Sequence, residues 1–250
     1  MGAVPAANSK EVDSAAGDRK QVQNELLPRP RSGRWKHLWC TCESKLEESM
    51  KARFLRGAET RLRIIRTAAD LFHKQGARAT SPDEIIEASR TGKGQFYHYF
   101  RSKEGLIHEV LQTYLDEIRM ASTRVNYEIN SWKDLERWFT TQVELQKSYE
   151  MTRGCPFGTL GNEVTANDEL VRQDLNLIFE VVKNKLIAFF VREKAKGNLG
   201  KPADPERMAD FCIASMQGAM LMGKIKRSSQ TVETTVQEAL AHLKSYSAKA

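Results

Sequence analysis

The chain has 250 residues, of which 40% are hydrophobic and 8% aromatic, which is ample for a folded protein with its own core. No apolar run is long enough to span a bilayer, and residues 1–20 lack the apolar stretch of a secretory signal, so we expect a cytoplasmic protein without a membrane partner. Residues 1–105 carry 20 Lys and Arg against 13 Asp and Glu, a net charge of +7, whereas residues 106–250 carry 19 of each. A basic end joined to a neutral body favours nucleic-acid binding by the first part.

Residues 1–55 differ in composition from the rest of the chain. They are rich in small, polar and charged residues, and Pro28 and Pro30 interrupt any helix, so we expect an extension without regular structure. One interpretation is a basic arm that follows the DNA backbone. The other, which we favour, is that translation starts at Met50, which would leave 201 of the 250 residues.

Cysteines, histidines and catalytic motifs give no sign of an enzyme. Cys40 and Cys42 are too close for an ordinary disulfide, and with His37 they do not have the spacing of zinc ligands, so we predict no metal and reduced thiols. The sequence contains no P-loop, no dinucleotide-binding fingerprint and no hydrolase motif. We therefore predict no enzymatic activity and no cofactor. A helical protein-interaction adaptor is the alternative to a nucleic-acid-binding protein.

The first predicted helix covers Glu59 to Gln75. Leu62, Ile65, Ala69 and Phe72 recur at helical spacing, and Gly76 ends the pattern. Three arginines lie in the first part of this helix, Arg61, Arg63 and Arg66. Two interpretations stay open: they form a solvated face, or one or two of them contact phosphate.

The segment from Ser81 to Glu104 is the most informative part of the chain. Ser81, Pro82 and Glu84 form a capping-box pattern that starts a short helix to Ala88. A turn over residues 89–92 leads to a second helix from Lys93 to Tyr99, and Ser102 caps a third. Such a helix pair is the usual way to place side chains in the major groove of DNA, although a plain helical hairpin is the simpler alternative.

The second helix of this pair has a composition suited to DNA contact. Phe96 and Phe100 lie four residues apart and predict a narrow stripe that docks on the protein, which leaves the polar residues outside. Gln95 is suited to an adenine edge, Lys93 to guanine, and Gly94 to close approach. Tyr97 is suited to phosphate, and Lys103 stands at a helix N-terminus that already favours anions.

From residue 103 onward the pattern predicts helix after helix, about nine in all. The expected ranges are 103–124, 132–149, 159–164, 168–196, 205–227 and 231–246. Small residues and methionines are mixed along 205–227, which favours close helix–helix packing in a dimer. The last helix would take part in this dimer seam through Val232, Val236, Ala239, Leu240 and Leu243. An ordinary intramolecular core is the equal alternative.

Residues 59–107 resemble the DNA-binding domain of the TetR/AcrR family of bacterial transcriptional regulators. The resemblance rests on the segments 64–72, 93–100 and 102–106, together with Gly76, Ser81 and Ile85. Residues 154–158 resemble a segment found in one branch of the family. One departure is Arg90 in the turn, where family members often carry glycine; Gly92 is the residue we expect to supply the permissive backbone.

The resemblance implies an all-α protein that binds an operator as a homodimer and responds to an unknown small molecule. It implies a helix-turn-helix domain over residues 56–105 and a ligand-binding and dimerisation domain over 106–250. The DNA-contact candidates are Thr60, Ser81, Lys93, Gly94, Gln95, Tyr97, His98 and Lys103. Candidates for the ligand pocket are Tyr127, Trp138, Cys155, Phe157 and Phe179. The function expected is that of a repressor released from a near-palindromic operator by its ligand.

Overall fold

A computed structural model describes residues 55–248, and within that range the architecture is entirely helical. Helix α1 occupies residues 55–75. The remaining eight are α2 (Pro82–Ala88), α3 (Lys93–Phe100), α4 (Lys103–Arg119), α5 (Trp132–Ser148), α6 (Pro156–Gly161), α7 (Glu169–Ala195), α8 (Pro205–Lys226) and α9 (Gln230–Lys244). The only β-type pairing in these residues is an isolated bridge between Leu199 and Ser247. The all-α prediction is confirmed, whereas the expectations for residues 1–54, including the Cys40 and Cys42 pair, lie outside the described range.

Helix α1 buries two of the four residues of the predicted stripe, Ile65 and Phe72, and half-buries a third, Ala69. Ile64, Ile65, Ala68 and Phe72 are buried, whereas Leu62 is 37% exposed. The buried stripe therefore includes Ile64 and Ala68 in place of Leu62. The helix ends at Gly76, whose φ of +88° is the left-handed conformation that glycine adopts without strain.

Serine and aspartate caps start the helices at the positions that the sequence predicts. The hydroxyl oxygens of Ser81, Ser102 and Ser131 accept from the backbone N–H three residues later, at 3.1, 3.1 and 3.2 Å. The predicted capping box at Ser81 is only half formed, because both carboxylate oxygens of Glu84 accept from Gln75 Nε2 at 3.0 Å. The side chain of Glu84 therefore ties α2 to the end of α1 instead of to its own cap.

Helix boundaries differ from the prediction most clearly at α4 and α6. Helix α4 ends at Arg119 instead of near 124, since Ala121 takes a left-handed φ of +52° that interrupts the helix. Helix α6 begins at Pro156 instead of 159, because proline is well tolerated at the first helical position, where its missing N–H costs nothing. Residues 154–158 therefore hold the start of a helix and not only a turn.

The second half packs α7 and α8 together, α9 on α8, and α4 on α7. Of the predicted seam on α9, Val232, Val236, Ala239 and Leu243 are buried within the chain, and Leu240 is half-buried. The intramolecular alternative therefore holds for α9. Helix α8 keeps a second, exposed apolar face, formed by Phe211, Ala214, Gly218, Leu221, Met222 and Ile225.

Residues 58–250 cluster as one compact unit. The division of this unit at residue 105 stays a prediction from the sequence.

Candidate nucleic-acid interface and internal cavity

Helix α3 has one docked face and one open face. Phe96 is fully buried and Phe100 is 3% exposed, so the two rings anchor the helix as the spacing predicts. The five candidate residues of this helix, Lys93, Gly94, Gln95, Tyr97 and His98, are all exposed. The outer surface of α3 is therefore polar, carries a positive charge, and leaves space at Gly94, where an added Cβ would meet nothing within 4 Å.

Local bonds on α3 leave its polar groups available to a partner. The Oε1 of Gln95 accepts from the backbone N–H of Gly92 at 3.2 Å, which orients the side chain and leaves its amide N–H groups as donors. Lys93 Nζ lies 3.3 Å from Asp83 Oδ1, and their side chains are 67% and 78% exposed. An ion pair this exposed contributes little, so Lys93 can exchange Asp83 for a phosphate or a base.

The candidates outside α3 have structural partners of their own. Ser81 uses its hydroxyl as the cap of α2, and Thr60 lies half-buried on α1. Lys103 Nζ donates to the carbonyl oxygens of Ala77 and Thr80 at 3.1 and 3.4 Å. Because an ammonium group has three donors, Lys103 fixes the turn after α1 and keeps one N–H for an anion.

Two of the arginines on α1 hold the helices around α3 together. Arg61 pairs with Glu109 of α4 and lies 5.9 Å from the centre of the Phe100 ring. Arg63 Nε donates to the carbonyl oxygen of Ser89 at 2.9 Å, at the end of α2. Both side chains therefore have roles within the protein, which the spacing of the sequence left open.

The turn between α2 and α3 corrects one expectation. Arg90 itself adopts the left-handed conformation, with φ of +51°, whereas Gly92 has φ of −82° and caps α3. The permissive role expected of Gly92 is therefore not used. The non-glycine residue carries the strained backbone, at a cost of roughly 1 kcal/mol.

A cavity of about 290 Å³ lies between α4, α5, the segment 122–127 and the start of α6. Of the five residues predicted for a ligand pocket, Tyr127, Cys155 and Phe157 lie in the wall of this cavity. Trp138 and Phe179 do not. Trp138 is buried against Phe139, 4.7 Å between ring centres, and Phe179 lies behind Phe157 at 6.2 Å. Aromatic residue type alone cannot separate a cavity wall from the core behind it.

Burial disfavours the charged form of the titratable groups that it shifts in this cavity. It lowers the pKa of His73 below 6.5 and raises the pKa of the Cys155 thiol. It also raises the pKa of Tyr114 to about 12 and that of Tyr127, and the pKa of Glu117 moves upward for the same reason. Cys155 is therefore a buried thiol and not a reactive thiolate.

The carbonyl oxygen of Gly154 joins the cavity wall to α1. It accepts from Nε2 of His73, on α1, at 2.7 Å, and from Nε2 of Gln146, on α5, at 3.0 Å. The same region is tied by Arg153, whose guanidinium pairs with Asp70 at 2.6 Å and lies 4.6 Å from the Tyr149 ring centre. A shift of residues 153–155 must therefore move α1 or break these bonds.

A second link runs from Glu163, just after α6, to the turn after α1. The carboxylate of Glu163 accepts from the backbone N–H groups of Ala77 and Arg78 at 2.8 and 3.0 Å. Arg78 donates in return to the carbonyl oxygen of Glu163 at 2.8 Å. Sequence reasoning missed His73, Gln146 and Glu163, because no local motif marks them. The partners of His73 and Glu163 lie more than eighty residues away along the chain.

The described residues hold neither a candidate metal site nor a membrane-spanning helix. Their histidine, cysteine and acidic side chains nowhere gather in a group of three that could hold a metal ion. None of the helices from 55 to 248 combines the length and the apolar character needed to cross a bilayer.

Two protein-family models match the chain, and together they cover more than half of it. The model for bacterial regulatory proteins of the tetR family matches residues 64–110. The model for the tetracyclin repressor-like C-terminal domain matches residues 133–239. The first contains α3 and most of α1, and the second contains α5 to α8 and most of α9.

Individual relatives agree with the family models. The HTH-type transcriptional repressor DhaR of Mycobacterium sp. strain GP1 is 28% identical over 185 residues, covering 72% of this chain and 91% of DhaR. Among solved structures, the regulatory protein TetR from Rhodobacter sphaeroides superposes with a TM-score of 0.64 at 23% identity, over 72% of this chain and 97% of that one. A CifR cysteine mutant, solved with a 26-base-pair operator, gives a TM-score of 0.61 at 24% identity, over 71% and 94%. At these identities the solved structures establish the fold.

Proposed function

The chain belongs to the TetR family of DNA-binding transcriptional regulators, which are not enzymes, and we propose that it is a repressor that a small molecule releases from a near-palindromic operator. The observation that carries this proposal is the open face of α3. A polar, positively charged helix face, anchored from behind by Phe96 and Phe100, is suited to the major groove. A repressor acts on chromosomal DNA, so we place it in the cytoplasm.

The residues of α3 would divide the contacts between bases and backbone. The free amide N–H groups of Gln95 would read a base edge, and Lys93 would bind guanine or phosphate. Gly94 would let the helix approach closely, while Tyr97 and His98 would contact the backbone. Phosphate contacts at the helix ends would come from Thr60, Ser81 and the remaining N–H of Lys103. They would position the reading head, residues 56–105, on the duplex without selecting a base sequence.

A homodimer formed through α8 would supply the second reading head. Phe211, Leu221, Met222 and Ile225 are 37%, 47%, 40% and 65% exposed on one face, with Ala214 and Gly218 between them. Small residues let two helices approach, and an exposed apolar stripe of this length favours burial against a copy of itself. A two-fold dimer would place two α3 helices in successive major grooves, about 34–36 Å apart.

Release would work through the links between the cavity and α1. A ligand that changes the position of Gln146 or residues 153–155 would strain the bonds of the Gly154 carbonyl to His73. If the ligand binds better to a dimer whose heads are spread differently, it shifts the population away from the DNA-binding form. Residues 56–105 would then serve as the reading head and 106–250 as the ligand-binding and dimerisation part.

The test is a fluorescence titration of the full-length protein with duplex DNA from the region upstream of its own gene, at two salt concentrations. We expect tight, sequence-selective binding that weakens steeply with salt, because each neutralised phosphate releases counterions. A scrambled duplex is the control, and equal weak binding to both duplexes at either salt concentration would contradict operator recognition at this site. The fragment 50–250 in the same assay shows whether the N-terminal arm takes part.

A further inference from the structure

The cavity between α4, α5 and α6 has a polar group that the protein leaves without a partner. Gln146 is only 4% exposed, and its Nε2 is used by the Gly154 carbonyl. Its Oε1 is buried and has no hydrogen-bond partner among the described residues. A buried acceptor without a partner is destabilising, so a hydrogen-bond donor that enters the cavity and pairs with this oxygen gains binding free energy. Gln146 is also a lining residue of the cavity.

Two phenol groups in the same wall are unused as well. Tyr114 and Tyr127 line the cavity, and in the part of the chain that the structure describes neither hydroxyl makes a hydrogen bond. Burial raises the pKa of both, so each hydroxyl keeps its proton and can donate. The cavity thus presents one acceptor and two donors whose partners have to come from outside the protein.

The rest of the wall is mainly apolar. Ile118, Val125, Leu145, Phe157 and Met220 supply an apolar surface around these three groups. His73 and Cys155 are held neutral by burial. A charged ligand would lose its hydration for little return, because Arg124 is exposed at the edge and burial raises the pKa of the half-buried Glu117. The volume of about 290 Å³ is at the lower end of ligand pockets.

A second cavity, lined in part by Gly154, is more polar. It has a volume of about 320 Å³, and Lys74, Asn162, Gln217 and Lys224 are among its lining residues. Its wall is polar and carries lysines, and no buried polar side-chain atom there lacks a partner in the described residues. The unpaired groups therefore single out the apolar cavity.

We propose that this cavity binds a small uncharged hydroxyl compound, of the class of phenols and alcohols. A hydroxyl group donates one hydrogen bond and accepts two, which matches the unpaired Oε1 of Gln146 and the hydroxyls of Tyr114 and Tyr127. The aromatic and aliphatic wall would cover the remainder of the molecule. This inference rests on the proposed function, since it names the class of the releasing molecule.

The experiment uses three probes that share one ring: p-cresol, its methyl ether 4-methylanisole, and the carboxylate 4-methylbenzoate. Binding to the full-length protein is measured by calorimetry, together with operator release by each probe. We expect saturable binding of p-cresol, with the ether and the carboxylate at least fivefold weaker. Tyr114→Phe combined with Tyr127→Phe should weaken p-cresol binding five- to tenfold.

The double variant is suited to this test because it removes two hydroxyls that have no partner in the protein, so its thermal stability should be unchanged. Tyr246→Phe, on the loop after α9, is the control and should bind p-cresol as the wild type does. Preference for the carboxylate, equal binding of the three probes, no binding of p-cresol at millimolar concentration, or an unaffected double variant would overturn the inference. If operator binding stays tight and selective in any of these cases, the regulator itself stands; loss of operator binding would instead reject the proposed function.

Discussion

Replacing Gly94 by alanine should stabilise the free protein and weaken its binding to DNA. Gly94 lies in the first turn of α3, and an added Cβ would meet no atom of the protein within 4 Å. Alanine loses less backbone entropy than glycine in a helix, so the gain is about 0.5 kcal/mol, or about 1–2 °C in the unfolding midpoint. In the proposed complex the same methyl group would stand between α3 and the duplex. We expect a tenfold loss of operator affinity, which is about 1.4 kcal/mol.

The two effects are measured by thermal unfolding of the free protein and by fluorescence titration with operator DNA. Gly161→Ala is the matched control, because Gly161 is exposed at the end of α6 and the nearest atom to its added Cβ is 4.0 Å away, on Leu175. It should leave DNA affinity unchanged. An unchanged affinity for Gly94→Ala would show that DNA does not approach this face of α3, and a lower stability would refute the reasoning about free space.

Three further predictions follow from the backbone, the buried histidine and the exposed helix face. Arg90→Gly should raise the free energy of unfolding by about 0.5–1 kcal/mol in chemical denaturation, because glycine adopts the left-handed φ of +51° without strain. The higher entropy of glycine in the unfolded chain offsets only part of this gain. A loss of stability would refute this reasoning. The pKa of His73 is lowered, so the unfolded chain binds the proton more readily, and stability should be full above pH 6.5 and fall below it by at most about 1.4 kcal/mol per pH unit. His73→Gln keeps an N–H for the Gly154 carbonyl and should flatten this pH dependence. Unfolding curves are measured from pH 7.5 to 5.5, roughly one unit on either side of the ordinary histidine pKa. An equally steep dependence in the variant would show that His73 is not the titrating group. Ile225→Glu should convert dimer to monomer in sedimentation, whereas Met120→Glu, at an equally exposed site, should not; a variant that stays dimeric would move the seam away from α8.

The helices and the reading face could be predicted from the sequence because their signals are local. Ser81, Ser102 and Asp204 cap their helices within three residues, and Phe96 and Phe100 dock α3 by their spacing alone. Such patterns depend on the backbone of a few neighbouring residues. The order of the helices therefore follows from the sequence without any long-range contact.

The links between the two halves could not be predicted, because they are set by packing. Glu163 binds backbone N–H groups more than eighty residues earlier in the chain. No sequence pattern in either segment predicts this contact. The cavity wall is similar: Phe157 lines it and Phe179 packs behind, although both are aromatic residues of the same kind. The left-handed conformation in the turn is expected at a glycine but is adopted by Arg90, since the flanking helices fix the backbone there.

The central claim is that the open face of α3 reads DNA sequence, and the most direct measurement is the base preference of Gln95→Ala. Wild-type protein and variant are titrated with a set of operators in which each base pair is changed in turn. We predict that the variant loses discrimination at one position in each half-site, by about 1–3 kcal/mol, and keeps it elsewhere. Gln173→Ala, on the exposed side of α7, should match the wild type. A Gln95→Ala profile identical to that of the wild type would contradict the assignment of α3 as the reading helix.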